Sequence, residues 1–446
     1  MNTLCRSSAG RLGPSLPVYL TPASGAEEMR RCVPRLIPAL ILVIWTVGAL
    51  AGCSNPVRLS AVPQDDTTLA QIPGIPNARY FADTQIDLVA QETLAARNRE
   101  AAALAEDGFM GPLPEADILA VSGGGADGAF GAGILTGWTT TGTRPTFKLV
   151  TGISTGALTA PFAFLGSSWD PQLIAVYTEV KPSNIFRKRY LTAAIWNDAL
   201  LDTDPLGELI ARYANQAMLD AIAREYARGR LLLIGTTNLD AGRPVIWNIG
   251  AIAASHQPNA LDLVRKVLRA SAAIPGAFPP VLIDVEINGK HYQEMHVDGG
   301  AIAQMFLYPA ALVHAEVLRK LKPRPLRAWL IRNSRLDPDW ATVERSTMSI
   351  AQEAIGTMIQ VSGMNDVSRI YMTALRDHVD YNLAYIGADF TMKPAENFDP
   401  AYMRALYNYG RNEALSGRAW VKRPPWVPKE ETVFGAAPRK TSAVAR

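Results

Sequence analysis

Two short segments constrain the fold more than anything else in this chain. Residues 118–133 read ILAVSGGGADGAFGAG, and residues 149–166 read LVTGISTGALTAPFAFLG. Each is an apolar run of strand length that breaks into glycine and resumes at helical spacing. A buried strand that turns directly into a helix is the building unit of a parallel sheet covered on both faces. The strand pattern returns at 230–239 (RLLLIGTTNL), 243–249, 280–287 and 327–335, with helical stretches such as LDLVRKVLRASAA between. The expected fold is α/β: three layers, α/β/α, around a largely parallel central sheet. Residues 84–106 read as a surface helix ahead of it. Asn288-Gly289 predicts a hairpin turn, because that pair tolerates positive φ. Residues 341–386 read as one long helical region.

Composition excludes several classes of function. At 446 residues and 48% hydrophobic, the chain can bury a large core. Its net charge of +3, with no Lys/Arg-rich run, gives nucleic acid no support as a partner. All three cysteines lie within the first 53 residues, so the rest of the chain forms no internal disulfide. Five histidines without a Cys/His cluster give no metal site.

The N-terminus reads as an export signal. Arg30, Arg31 and Arg35 precede the apolar stretch 36–52, which closes on Leu50-Ala51-Gly52-Cys53. This ending resembles the lipobox of bacterial lipoproteins, which implies acylation at Cys53, anchoring to a membrane, and cleavage just before the cysteine. Met29 is then a candidate start, and Ser54 after the cysteine implies the outer membrane where the cell has one. The alternative is an uncleaved N-terminal membrane anchor. Residues 54–82 carry four prolines and read as a tether. The domain is expected over 83–422, with a motif core at about 115–335 and a helical C-terminal part over 336–422. Residues 423–446 read as a tail.

Gly123, Gly125 and Gly128 satisfy G-x-G-x-x-G, the pattern of a dinucleotide-binding turn. That reading needs an acidic residue about 20 positions further on, and residues 139–155 contain neither Asp nor Glu. No nucleotide and no other cofactor is expected. The end of the second strand instead carries Gly152-Ile153-Ser154-Thr155-Gly156, a G-x-S-x-G between strand and helix. A sharp turn there aims the Ser154 hydroxyl out of the sheet. Attack on an ester carbonyl would place negative charge on oxygen, and the bare amides of Gly123, Gly124 and Gly125 on the neighbouring strand end could hold it. The nucleophile needs a base. None of the five histidines sits in a signature, whereas Asp298 stands at a strand end bared by Gly299 and Gly300.

Together, GGGADG (123–128), GISTG (152–156) and DGG (298–300) resemble the patatin-like phospholipase family. The stretch ASAAIPGAFPPV (270–281) is similar to the segment that family carries between nucleophile and acid. The resemblance implies that Ser154 is the nucleophile and Asp298 its sole partner. It also implies an oxyanion hole from the backbone of Gly123, Gly124, Gly125, Ala126, Asp127 and Gly128, and a lipid ester as substrate. One departure stands out: many members carry Arg or Lys where this chain has Asp127. Candidate walls for an acyl pocket are Ile134, Phe162, Phe164, Ile274, Phe278 and Pro279. Two rival readings remain at this point, a Ser-Asp-His triad using His314 or His378, and a non-catalytic lipid-binding lipoprotein.

Overall fold

The computed structural model describes residues 58–188, 199, 201–319, 323–338 and 342–428. The segment read as an export signal, Cys53 and residues 429–446 lie outside them. No helix among the described residues is long and apolar enough to cross a membrane.

Strand β1 (Arg79–Phe81) and helix α1 (Ile86–Glu106) lead into β2 (Ala116–Val121), α2 (Gly128–Thr140), β3 (Leu149–Ile153) and α3 (Thr155–Leu165). Next come α4 (Asp170–Thr178), the ribbon β4 (Arg187–Lys188) and β5 (Leu201–Asp202), then α5 (Asp204–Tyr213) and α6 (Gln216–Ala227). Strands β6 (Leu231–Asn238) and β7 (Arg243–Asn248) are followed by α7 (Ile249–Ala254), α8 (Ala260–Ser271) and the hairpin β8 (Val281–Ile287) and β9 (Lys290–Asp298). Short α9 (Glu316–Arg319), β10 (Leu326–Arg335), α10 (Thr347–Arg376), β11 (Asp380–Ile386) and α11 (Pro400–Leu415) complete the chain. The hairpin turns through Asn288 (φ 50°) and Gly289 (φ 80°), as their side chains allow.

The central sheet is mixed and mostly parallel. β6, β3, β2, β10 and β11 run parallel in that order, and β7 and then β1 add antiparallel at the β6 side. The parallel strands are buried on both faces, which is why they read as unbroken apolar runs. Helices α2, α3, α8 and α11 pack one face in the larger core. Helix α10 covers the other through Val367, Ile370 and Ala374.

One register decides where the chemistry can sit. β6 pairs with β3 up to Ile153 opposite Gly235. Where β3 ends in the turn at Ser154, β9 joins β6 antiparallel, with Asp298 opposite Thr236. Adjacent positions on β6 therefore bring Ser154 and Asp298, 144 residues apart in sequence, to the same point.

Two expectations are corrected. Residues 58–82 are no tether: Val62, Ile72 and Ile75 are buried, Gln71 exchanges backbone hydrogen bonds with Glu286, and β1 extends the sheet. The prolines space short apolar anchors rather than a solvated strap. The helical region proposed over 341–386 holds one helix, α10, and then a parallel strand, β11, alongside β10. His378 breaks the helix at φ 55° without glycine or proline to announce it.

Candidate active site

Ser154 sits at φ 56° and ψ −128°, a conformation an L-residue adopts only under constraint. The constraint is visible on every side. Its carbonyl accepts the Ala157 N–H at 2.9 Å, starting α3, and its own N–H donates to Ser271 Oγ at 3.0 Å. The Ser271 hydroxyl donates to the Gly235 carbonyl at 2.7 Å, tying the elbow to β6. The flanking glycines let the backbones close: a Cβ on Gly156 would stand 2.2 Å from the Val121 carbonyl, and one on Gly152 would stand 2.4 Å from the Gly156 carbonyl.

The Ser154 hydroxyl lies close enough to the Asp298 carboxylate to lower its pKa, and both residues are buried, 7% and 4% exposed. Burial pushes the Asp298 carboxyl up to about 7, against the opposing pull of the Ser154 hydroxyl and the Gly300 N–H. The Gly300 N–H donates to Asp298 Oδ1 at 2.7 Å and fixes the carboxylate. Gly299 lies against the Gly235 carbonyl with no room for a side chain. A base with a carboxyl near 7 is far better matched to a serine proton than one near 4.

The glycine loop approaches from β2. A Cβ on Gly123 would meet Ser154 Cβ at 3.1 Å, so the loop lies against Ser154. Gly124 (φ 152°) crosses the Asn333 carbonyl so closely that a Cβ would stand 2.0 Å from it. Asn333 holds the base of the loop: its side chain donates to the Ser122 carbonyl at 2.9 Å and accepts from the Gly131 N–H at 3.0 Å.

The expected donor set is narrower than the motif. The Gly123 N–H is taken by the Gln304 carbonyl at 3.1 Å, that of Asp127 by the Gly124 carbonyl at 3.0 Å, and that of Gly128 by the carbonyls of Gly125 and Ala126. The amides of Gly124, Gly125 and Ala126 donate to no carbonyl among the described residues. Above Gly125 there is open space.

Asp127 turns away from the reacting centre, its carboxylate accepting the Tyr402 hydroxyl at 2.7 Å. A positive charge does stand behind the loop, from β10. Arg332 is 1% exposed, and burial lowers its pKa to about 10 against the support of Asp366 and Asp127.

No histidine hydrogen-bonds Ser154 or Asp298 among the described residues. His256, His291 and His378 are exposed, and the side chain of His314 lies outside the described residues. His296 shares a strand face with Asp298 but is committed elsewhere. Glu294, which Arg79 and His296 hold near 2 against the effect of burial, must accept from His296 Nε2 (3.0 Å). Nδ1 of the neutral ring is then left to accept the Thr236 hydroxyl at 3.0 Å. Burial keeps this ring neutral by lowering its pKa.

The proposed acyl walls are also corrected. Ile134, Phe162 and Phe164 are filled core beneath α2 and α3. A cavity of about 930 Å³ lies on the opposite face, under α10. Ile153 and Gly299, the immediate neighbours of Ser154 and Asp298, line it together with Ile302, Phe306, Met358 and Val361. Asp366 closes its α10 side by accepting the backbone N–H groups of Gln304 (2.6 Å) and Met305 (3.2 Å). Ser271, Gln304, Asn333 and Asp366 carry no sequence signature, because each acts through a partner far away in the chain.

Residues 119–311 match the family model of patatin-like phospholipases. Among solved structures the chain is similar to VipD from Legionella pneumophila, at 13% identity over 69% of this chain and 67% of that one, with a TM-score of 0.29. It is also similar to the type III effector protein ExoU, at 14% identity over 69% of this chain and 54% of that one, with a TM-score of 0.18. No curated protein matches it. The fold is patatin-like over the matched residues 119–311.

Proposed function

We propose that the protein hydrolyses acyl esters of lipids with a Ser154–Asp298 dyad. The observation that carries this reading is a strained serine beside a buried carboxylate whose pKa is pushed up to about 7, next to amides left without acceptors among the described residues. Asp298 takes the Ser154 proton as Oγ forms a bond to the ester carbonyl carbon. Negative charge gathers on the carbonyl oxygen, where the N–H groups of Gly124, Gly125 and Ala126 stabilise it. The C–O bond to the alcohol breaks, and the alcohol leaves with the proton from Asp298. Water then repeats the sequence on the acyl-serine, giving its proton to Asp298, which returns it to Oγ as the fatty acid departs. The cavity under α10 takes the acyl chain, since it is apolar and reaches both Ile153 and Gly299. Acylation at Cys53 and anchoring at the outer membrane belong to the same proposal and would hold the site at its insoluble substrate.

Long-chain nitrophenyl ester hydrolysis and labelling by a fluorophosphonate test the reading. Wild type turns over and labels at Ser154; Ser154→Ala does neither. Unchanged hydrolysis by the folded Ser154→Ala variant would overturn it.

A further inference from the structure

A second cavity, of about 380 Å³, lies under α1, on the sheet face that α10 also covers and toward the opposite end of the strands. Its floor is Ile118 on β2, Leu149 on β3, and Leu231 and Leu233 on β6, and Val89 and Ala96 of α1 roof it. Its polar end is closed by the ion pairs of Glu100 with Lys148 and Arg324. Phe306, Ile246, Tyr308 and Pro309 line this cavity and the larger one under α10 alike. Two apolar spaces therefore share a wall, and of the two only the larger reaches Ile153 and Gly299.

The alternation of side chains along the strands shows where that wall stands. On β3, Leu149, Thr151 and Ile153 share one face. Leu149 lines the smaller cavity and Ile153 the larger. Thr151 between them lines neither: it is 1% exposed, and its hydroxyl donates to the Phe306 carbonyl. On β6, Leu231, Leu233 and Gly235 repeat the pattern, the two leucines lining the smaller cavity and the glycine the larger. A Cβ on Gly235 would stand 3.1 Å from Phe306 Cε1, so the ring lies over the strand where the glycine leaves room for it. With its backbone pinned to β3 and its ring seated on β6, Phe306 crosses the straight path along the strands from Ile153 to Leu149. That path is about 13 Å long at the usual rise of a strand.

We propose that Phe306 is a specificity-determining residue: it bars the acyl chain from the cavity under α1, confines it to the one under α10, and so sets the longest chain the site accepts. The proposal rests on the hydrolase reading and deepens it. The withheld floor is apolar along Leu149, Leu231 and Leu233, so a chain admitted there would exchange water for hydrocarbon surroundings. Removing the ring joins the two spaces and should favour chains too long for the first alone.

The test is hydrolysis of nitrophenyl palmitate and nitrophenyl behenate presented in the same detergent micelle. Phe306→Ala should raise the behenate-to-palmitate ratio of kcat/KM about tenfold, the scale of a few methylenes gained in an apolar pocket. A general loss of activity cancels in that ratio, and fluorophosphonate labelling of Ser154 reports a folded site in each variant. Phe306→Leu should shift the ratio the same way by less, and it serves if the alanine variant does not fold. Leu149→Phe, which fills the withheld cavity, should leave the wild-type ratio unchanged and cancel the gain when combined with Phe306→Ala. A ratio unmoved in the folded Phe306 variants would overturn the proposal, and so would a ratio lowered by Leu149→Phe alone, since the chain would then already enter the cavity under α1. A wild type that neither turns over ester nor labels fails the hydrolase reading, and this one with it. Turnover and labelling with an unmoved ratio remove the wall only.

Discussion

The two faces of the central sheet are built to opposite specifications. On one face α2 lies directly on α11, backbone against backbone: a Cβ on Gly133 would stand 2.1 Å from the Tyr407 carbonyl, and one on Gly410 would stand 2.5 Å from the Phe130 carbonyl. On the other face α1 and α10 leave cavities of about 380 and 930 Å³, and α10 exposes Ile355 (47%), Met358 (70%) and Val361 (50%). The loop amides and the elbow both open helices of the close-packed face, α2 and α3. Stabilising an oxyanion requires donors fixed in advance, and a flexible acyl chain requires space. The molecule assigns rigidity to one face and space to the other, with Ser154 and Asp298 at the seam.

The largest effect should come from the seam. Asp298→Asn removes the proposed base and should lower kcat/KM by about 10²–10⁴. In wild type, kcat/KM should fall about tenfold per pH unit below about 7, because the carboxylate must be ionised to accept the serine proton. Stability should run the other way. The native carboxyl binds its proton up to about 7, whereas the unfolded one loses it near 3.9. The native state therefore holds the extra proton between those values, and stability falls as pH rises through that window. Asp298→Asn should then melt higher than wild type at pH 8, with the gap closing toward pH 4. Thermal melts of both proteins across that range check the sign, and a gap independent of pH would mean that the buried carboxylate does not carry this charge penalty.

Next in size is a blow to the close-packed face. Gly133→Val would drive a branched side chain into the Tyr407 backbone and should cost about 3 kcal/mol or more, since neither helix can yield locally. Val361→Phe, which adds a larger side chain on the open face, should stay within about 1 kcal/mol. Urea melts of the two variants would break the comparison if their losses proved equal.

Much of this contrast was legible in the sequence, and the reason is local. Strands β2 and β3 and the turns that follow them are specified by neighbouring residues, an apolar run and then glycine. The hairpin at Asn288-Gly289 is written in two residues. What escaped depends on register. The Gln304 carbonyl claims the Gly123 amide, and Ser271 holds the Ser154 N–H from 117 residues away. The sequence points to Ile134, Phe162, Phe164, Ile274, Phe278 and Pro279 as acyl walls, and of these Ile134, Phe162, Phe164 and Phe278 fill the packed core. The cavity lies on the other face, lined by residues such as Phe306 and Val361, whose spacing carries no signal of shared space. Strand β11 was hidden because helix α10 ends at Arg376 and the chain turns at His378 with no breaker residue.

Chain-length selectivity should move less than catalysis. Filling the larger cavity with Val361→Phe should lower the rate ratio of a long-chain to a short-chain ester by about tenfold, the scale of a few methylenes excluded from a pocket. Rates on nitrophenyl butyrate and palmitate read that ratio directly. An unchanged ratio would move the acyl chain out from under α10.

The smallest effect concerns the outer surface of α10. Ile355 and Met358 face water, and Met358 also lines the cavity rim. Replacing both with serine removes no buried contact, so melting should shift by no more than about 0.5 kcal/mol. A soluble short ester reaches the site without a surface and should keep its kcat and KM. Lipid in vesicles must first meet the protein, and an exposed apolar helix face gains free energy by entering a bilayer boundary. KM for vesicle substrate should therefore rise about fivefold with kcat unchanged. Equal changes on soluble and vesicle substrates would show that these side chains shape the cavity rather than the approach to a membrane, and the open face would then serve the acyl chain alone.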